Sequence, residues 1–211
     1  MSADVLLISS GLAHPSLLAQ FYVRRALTLP GYHLTRAASL EQLPALDPGR
    51  YDAVVLYIHH DHLSPSALGC LQDVVGGGAG LLAIHAASAS FKGNDAYYDI
   101  IGGRFVEHGP ITGFRVEPAR GKRDRLFGTV PPFTVRDELY RHHYDPANRV
   151  HLVTLVDGQP EPVVWTRRYP DRGGGRVCYL SLGHTLSSVR HPQVQAILQR
   201  GLAWVCGATP R

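Results

Sequence analysis

The chain has 211 residues, of which 45% are hydrophobic and 18% are charged, so it can bury a full core and no segment has the composition of a disordered region. The net charge of +4 comes from scattered Lys and Arg residues, unlike the concentrated basic surface of nucleic-acid-binding proteins, so we expect no nucleic-acid partner. No apolar run reaches the roughly 18 residues of a membrane span, and the amino terminus lacks the features of a signal peptide. We therefore expect a cytoplasmic protein.

The first half of the chain alternates apolar runs with amphipathic segments. The apolar runs predict strands over Asp4–Ser9, Tyr32–Arg36, Asp52–Ile58 and Gly80–Ile84. A helix is predicted to begin at His14-Pro15, with an apolar face made of Leu18, Phe21, Tyr22, Ala26 and Leu29. A second helix is predicted at Ser64-Pro65, which supply a cap and a first-turn proline. This alternation predicts a mostly parallel central sheet with helices on both faces.

The second half is less regular. It predicts strands over Gly113–Glu117, Val150–Val156, Pro162–Arg168 and Arg176–Leu182. The last two flank the turn Pro170–Gly174 and should form a hairpin. Helices are predicted over Asn94–Ile101 and from His191-Pro192, the latter with the buried face Val194, Ile197, Leu198, Gly201, Leu202 and Val205. Because no repeat or linker interrupts the chain, we expect one domain over residues 1–211.

The three cysteines, Cys70, Cys178 and Cys206, are far apart and lie in apolar segments. This pattern is typical of buried, reduced thiols in a cytoplasmic protein. A thiol in apolar surroundings has a raised pKa and little thiolate, so none of the three is predicted to be a nucleophile.

Twelve histidines are unusual for this length, and several of them follow predicted strands directly. His59 and His60 follow the third strand, His85 the fourth and His184 the last. Ligands of open parallel sheets bind beyond the carboxyl ends of the strands, which is where these side chains should lie. The other loop histidines, His14, His142, His143 and His191, are interpreted as ordinary hydrogen-bonded residues.

The segment Leu82–Ala87 (LAIHAA) has the form of a nucleophile elbow, in which a strand turns sharply and presents one side chain above the sheet. The presented residue is His85, where a hydrolase of this form would have Ser or Cys. Imidazole suits metal binding or proton transfer rather than acyl transfer, so a covalent cysteine mechanism is not expected.

Five segments follow the order of motifs in a known family. They are Gly78–Ala87 (GAGLLAIHAA), Tyr98–His108 (YDIIGGRFVEH), Asp137–Tyr140 (DELY), Gly174–Thr185 (GGRVCYLSLGHT) and Gly201–Trp204 (GLAW). Together they resemble the trehalose-utilisation (ThuA-like) family. The resemblance implies a flavodoxin-like or amidotransferase-like three-layer sandwich, without the catalytic cysteine of class I glutamine amidotransferases. It also implies a bacterial protein of sugar catabolism, in which 3-keto intermediates occur.

The chain departs from this family pattern at two places. The region from Glu117-Pro118 to Pro132 lacks the histidine of the D-x-x-H-P segment that often precedes D-E-x-Y. Glu161-Pro162 stands where H-P often precedes the strand that contains Trp165. Both departures weaken the transfer of any particular substrate.

The family motifs and the strand-end pattern together nominate the site residues. His85, His184 and Glu138 are predicted to be catalytic, and the two histidines are also candidate ligands of a divalent metal such as zinc. Residues predicted to bind substrate are His59, His60, His108, Asp137 and Tyr140. The expected partner is a small carbohydrate, and a homo-oligomer is compatible with the sequence.

Three functions remain open from the sequence. The first is lyase-like or hydrolase-like cleavage of a 3-keto-glycoside by the three catalytic candidates, with a metal or by acid–base chemistry alone. The second is a non-catalytic binding or regulatory module, because a fold does not determine a function. The third is metal-dependent amide hydrolysis.

Overall fold

In a computed structural model, the residues described are 2–11, 15–119, 124–170 and 173–208. The strands, in chain order, are β1 (Ala3–Ser9), β2 (Tyr32–Ala37), β3 (Ala53–Tyr57), β4 (Gly80–Ile84), β5 (Gly103–His108), β6 (Thr112–Pro118), β7 (Phe133–Asp137), β8 (Tyr140–Tyr144), β9 (Arg149–Val156), β10 (Gln159–Tyr169) and β11 (Gly175–Leu180). The α-helices are α1 (Leu17–Leu27), α2 (Pro65–Gly76), α3 (Asp95–Ile101), α4 (Leu186–Arg190) and α5 (Pro192–Val205). Short 3₁₀ helices span Leu40–Ala45, Pro48–Arg50 and His85–Ala89.

Nine strands form one sheet in the order β2-β1-β3-β4-β11-β10-β9-β6-β7. The first five strands of this order pair in parallel, whereas every pairing from β11 through β10, β9 and β6 to β7 is antiparallel. The prediction of a mostly parallel sheet is therefore corrected to a mixed sheet. A short link explains part of the difference: only Asp157 and Gly158 separate β9 from β10, and both have positive φ, as in the two-residue turns that join antiparallel strands.

The predicted strands and helices of the first half are present, as is the β10–β11 hairpin, although Asp171 and Arg172 of its turn lie outside the described residues. Strands β5, β7 and β8 were not predicted. β5 and β8 form a separate two-stranded antiparallel ribbon. Both are short and rich in polar residues, so their apolar content does not identify them as strands.

The predicted buried face of α1 is only partly right: Ala26 is buried and Tyr22 packs against the core, but two other members are exposed. Leu18 is 60% exposed and Phe21 is 45% exposed, whereas the buried residues are Ala19, Val23, Ala26 and Leu27. The true buried stripe is therefore rotated by about one residue, or about 100°, from the predicted one. The helix begins after Ser16, whose hydroxyl accepts a hydrogen bond from the Ala19 N–H, and His14 lies outside the described residues. The predicted buried face of α5 is confirmed in full.

Side chains of the sheet enter two separate core layers. Leu7 of β1 packs in the layer that includes α1 and α5, whereas its neighbour Leu6 packs in the layer that includes α2 and α3. This alternation is the period of two expected of a strand that is covered on both faces. The helices therefore lie on both faces of the sheet, as predicted. Among the described residues, no helix is both long and apolar enough to cross a membrane.

A buried polar triad lies in the antiparallel half, away from the carboxyl ends of the parallel strands. His151 on β9 donates from Nδ1 to Asp124 Oδ2 at 2.7 Å, and its Nε2 lies 2.7 Å from the Thr166 hydroxyl on β10. Burial opposes ionisation of Asp124, but the charge and hydrogen bond of His151, together with backbone N–H groups, outweigh it and lower the pKa of this carboxyl. The ionised carboxylate therefore joins the segment after residue 123 to the sheet.

We predict that Asp124→Ala lowers the free energy of unfolding by about 1–3 kcal/mol at pH 7, because it leaves the buried His151 donor without its acceptor. A carboxyl with a lowered folded-state pKa stabilises the fold above its unfolded pKa and loses that contribution as the pH falls through the folded value. The difference from wild type should therefore shrink between pH 7 and pH 3 in urea unfolding curves. Asp73→Ala, at an exposed position of α2, is the control. A loss of unfolding free energy that does not change with pH would contradict the prediction.

Candidate functional site

His85 follows β4 at the carboxyl edge of the sheet, where the chain turns sharply. His85 has a φ of +49°, in the left-handed region that non-glycine residues rarely adopt, and it begins the 3₁₀ helix that follows the strand. Gly183, which follows β11, packs against it, since a Cβ at Gly183 would lie 3.2 Å from the His85 Cβ. The Tyr57 hydroxyl donates to the Gly183 carbonyl at 2.5 Å. The predicted elbow is therefore present, and close packing from β3 and β11 encloses it.

Three histidines surround the carboxylate of Glu138. His85 Nε2 lies 3.4 Å and His184 Nδ1 lies 3.2 Å from Glu138 Oε2, while His108 Nε2 lies 3.6 Å from Oε1. One ligand atom from each of His85, Glu138 and His184 falls within 4.8 Å of the others. The predicted convergence of these residues, which are far apart in sequence, is confirmed. Their chemical roles stay a prediction.

The ring of His85 is completely buried and its orientation is fixed. Nδ1 lies 2.7 Å from the carbonyl oxygen of Ser181, to which only a protonated nitrogen can donate. Nε2, the other nitrogen of the ring, faces Glu138. Tyr140 stacks on the other side, with ring centroids 4.2 Å apart. His85 therefore presents one defined nitrogen to the site.

Asp137 holds the loop that carries His184. Its carboxylate is fully buried and accepts hydrogen bonds from the backbone N–H groups of Glu138, Gly183, His184 and Thr185 at 2.8–3.1 Å. Both carboxylate oxygens thus accept hydrogen bonds from the protein backbone. The sequence predicted that Asp137 binds substrate, and the structure instead gives it a positioning role behind the site.

The β5–β8 ribbon brings two further predicted residues to the cluster. His108 at the end of β5 pairs in register with Tyr140 at the start of β8, and their rings stack with centroids 5.7 Å apart. His108 is partly exposed, whereas Tyr140 is buried against Phe105 as well as His85. The open side of the site is therefore the side of His108 and His184.

His59 and His60, the two consecutive histidines after β3, have different surroundings. His59 lies close enough to the cluster for the charges of His85 and Glu138 to influence its pKa, which desolvation lowers most strongly. His60 instead places Nε2 2.6 Å from the Ser10 hydroxyl and its ring near Phe91. Of this predicted substrate-binding pair, only His59 is near the three catalytic candidates.

The electrostatics of the cluster favour an ionised carboxylate beside a neutral imidazole. Burial opposes ionisation of Glu138, but the hydrogen bond and charge of His85 and the charges of His184 and His108 outweigh it and lower its pKa. Desolvation lowers the pKa of His184 and so favours its neutral form. Burial above all raises the pKa of Tyr140, which stays a protonated phenol. This combination of donors can bind a divalent cation or transfer a proton.

Sequence reasoning missed the residues behind His85. His142 was interpreted as an ordinary loop residue, yet its side chain is fully buried on β8 and contacts Glu161 and Tyr179. The available signal was the alternation within Tyr140–Tyr144, which places Tyr140 and His142 on one face of a strand.

The comparisons with known proteins agree with this fold. The family model for trehalose utilisation, ThuA, matches residues 5–205. A ThuA-like protein of Parabacteroides merdae matches with a TM-score of 0.84 and 19% identity, and the match covers 100% of this chain and 92% of that protein. A ThuA-like protein of Bacteroides uniformis matches with a TM-score of 0.78 and 16% identity, and the match covers 97% of this chain and 91% of that protein. A β-galactosidase of Bacillus circulans sp. alkalophilus matches 99% of this chain over 32% of its own, with a TM-score of 0.67 and 13% identity. No curated protein matches the chain. At these identities the solved structures show the fold alone.

We predict that Asp137→Ala lowers the free energy of unfolding by at least about 3 kcal/mol, because four backbone N–H groups lose a buried charged acceptor. Asp137→Asn keeps one acceptor oxygen, so its free energy of unfolding should lie between those of Asp137→Ala and wild type. Urea unfolding of the three proteins measures the series, with Asp73→Ala again as the exposed control. If Asp137→Ala is as stable as wild type, the positioning role is wrong.

We predict that no cysteine acts as a nucleophile in the native protein. All three are free thiols, and burial raises the pKa of Cys178 to about 12. Desolvation also raises the pKa of Cys206 to about 12 and raises the pKa of Cys70. An aromatic disulfide reagent should label Cys178 only after unfolding in urea. Rapid labelling of native Cys178 would contradict this assignment.

Proposed function

The chain belongs to the trehalose-utilisation (ThuA) family, and we propose that it acts on a glycoside or 3-keto-sugar derivative through His85, His184 and Glu138. Family membership supports the substrate class. The one observation that carries the site is the convergence of two imidazole nitrogens and a carboxylate oxygen within 4.8 Å at the carboxyl edge of the sheet.

We propose further that this site binds a divalent cation such as zinc. Ligand atoms 2.0–2.1 Å from a tetrahedral ion lie about 3.3 Å from one another, and the distances from Glu138 Oε2 to His85 and His184 are 3.4 and 3.2 Å. The hydrogen bond from His85 Nδ1 to a backbone carbonyl is the outer contact that metal-binding histidines usually make. A bound cation would polarise a substrate oxygen or activate water at the open side of the site.

The same residues can also act without a metal. A neutral His184 can accept a proton from a carbon next to a ketone and return it to the leaving oxygen, while Glu138 stabilises the imidazolium that forms. Partly exposed His108 lies on the side from which a sugar would approach. Elimination from a 3-keto-glycoside is the reaction that this arrangement suits.

A non-catalytic module is the second candidate, because the same fold makes up about a third of a much longer β-galactosidase chain. The polar, convergent cluster favours the enzyme over this alternative. Metal-dependent amide hydrolysis has less support. That reaction needs a further carboxylate to activate water. Among the described residues, Glu138 is the only carboxylate in the group that could hold a metal ion, and the Asp137 carboxylate already accepts hydrogen bonds from backbone N–H groups.

We predict that the protein binds about one zinc ion per chain and that His85→Asn weakens the affinity at least about 100-fold. Asn retains a donor where Nδ1 meets Ser181 but has no atom in place of Nε2, so the fold is spared and the ligand is removed. His184→Gln should have a similar effect, because His184 faces Glu138 through Nδ1. The affinity is measured by competition with a chromophoric chelator, and the metal content by mass spectrometry.

His143→Asn is the matched control, since His143 is exposed on β8 and should bind zinc like wild type. Turnover of a 3-keto-glycoside, with and without chelator, separates the metal mechanism from the acid–base mechanism. A wild-type protein that neither retains zinc nor converts 3-keto-glycosides would contradict the proposed enzyme and favour the binding module.

A further inference from the structure

A buried hydrogen-bonded chain runs behind the site and ends on His85. We call Glu161, His142 and Tyr179 the support chain. Arg141 Nε lies 3.1 Å from Glu161 Oε2 at its outer end, and Glu161 Oε1 lies 3.1 Å from both the backbone nitrogen and Nδ1 of His142. The His142 Nε2 lies 3.1 Å from the Tyr179 hydroxyl, which donates to the His85 carbonyl oxygen at 3.0 Å. Three side chains from three strands thus connect the surface to the elbow.

The support chain is enclosed by apolar packing. The side chains of His142 and Tyr179 have no exposed surface, and the indole of Trp165 contacts both rings, with centroids 5.2 and 4.2 Å away. The hydroxyl of Ser88 lies 2.7 Å from the Tyr179 hydroxyl and completes the environment of this group. Buried polar groups hold their geometry tightly when they are satisfied in this way.

Tyr179 and Ser181 hold His85 at two points. The Ser181 carbonyl fixes the imidazole through Nδ1, and the Tyr179 hydroxyl fixes the backbone carbonyl of the same residue. The Ser88 hydroxyl also donates to the His85 carbonyl oxygen, at 3.2 Å. His85 needs this support, because its positive φ is strained and persists only where the surroundings impose it. If the backbone relaxed, Nε2 would turn away from Glu138.

We propose that Tyr179, oriented by His142 and Glu161, is a positioning residue that holds the His85 backbone in the conformation in which Nε2 meets Glu138 and His184. The functional importance of this geometry rests on the proposed metal or acid–base function, whereas the geometry itself is tested separately. Tyr179 touches no substrate, and its effect passes entirely through His85.

The chain contains a matched control for this role. Tyr97 is also completely buried, and its hydroxyl donates at 2.9 Å to the carbonyl of Ala87, two residues further along the same turn. Tyr179→Phe and Tyr97→Phe therefore each remove one buried tyrosine hydroxyl that bonds to this 3₁₀ helix. Only the first removes a bond to His85.

The first experiment titrates the full chain with Co²⁺, whose visible spectrum reports affinity and coordination geometry. Tyr179→Phe should weaken cobalt binding about 10–100-fold and alter the spectrum, as loss of an outer partner of a metal ligand typically does. Tyr97→Phe should bind cobalt like wild type, even if thermal unfolding shows both variants equally destabilised. Equal losses of affinity in the two variants would overturn the inference, because they would indicate general loosening of the turn.

The second experiment needs no metal. Nitrogen NMR of histidine side chains should show a slowly exchanging Nδ1 proton on His85, assigned by its absence in His85→Asn. It should broaden or disappear in Tyr179→Phe and remain in Tyr97→Phe. If wild type binds no cobalt, the metal proposal fails and this signal alone decides the inference. An unchanged His85 signal in Tyr179→Phe overturns it, whatever the cobalt affinity.

Discussion

The carboxylate of Asp137 is the constraint on which the site depends. It lies at the end of β7, an edge strand of the sheet, yet it accepts hydrogen bonds from three consecutive backbone N–H groups after β11, at the centre. Three strands separate β7 from β11 in the sheet order, so these bonds join two strand ends that are not neighbours in the sheet. The same carboxylate also accepts the N–H of Glu138. One buried anion thus places two residues of the cluster, Glu138 and His184, beside each other.

The rest of the cluster depends on a backbone conformation that the chain would not adopt alone. His85 has a positive φ within a turn of small residues, and it is supported by the Ser181 carbonyl, the Tyr179 hydroxyl and close packing of Gly183. Strained backbone of this kind persists when neighbouring contacts over-determine it, and it is concentrated at functional sites. The polar groups that hold His85 are themselves satisfied and shielded from water. The local arrangement is therefore rigid where the proposed chemistry requires precision, and exposed only towards His108 and His184.

The fold alone leaves the function undecided. It is shared with ThuA-like proteins along nearly their whole length and with about a third of a β-galactosidase chain, at identities from 13% to 19%. The functional evidence lies in the chemistry at the sheet edge, where an ionised carboxylate faces three imidazoles and a protonated phenol. The sugar-related role follows from family membership, whereas the reaction must be argued from these side chains.

Elements with local signals could be predicted from the sequence alone. Apolar runs located β1, β3 and β4, Ser64-Pro65 and Asn94 marked helix starts, and the buried face of α5 followed from its spacing. The strand-end pattern and the family motifs also identified His85, His184 and Glu138, because the carboxyl ends of neighbouring parallel strands must meet at one edge. The remaining features depend on partners that are distant in sequence, so they appear only in the folded chain. The polar strands β5 and β8 are stabilised by pairing with each other rather than by apolar content, so apolar runs predicted neither. The role of Asp137 depends on N–H groups 46 to 48 residues away, and that of His142 on Glu161 and Tyr179. A residue type shows which bonds a side chain can make, but only the folded chain determines which partners are close enough to make them.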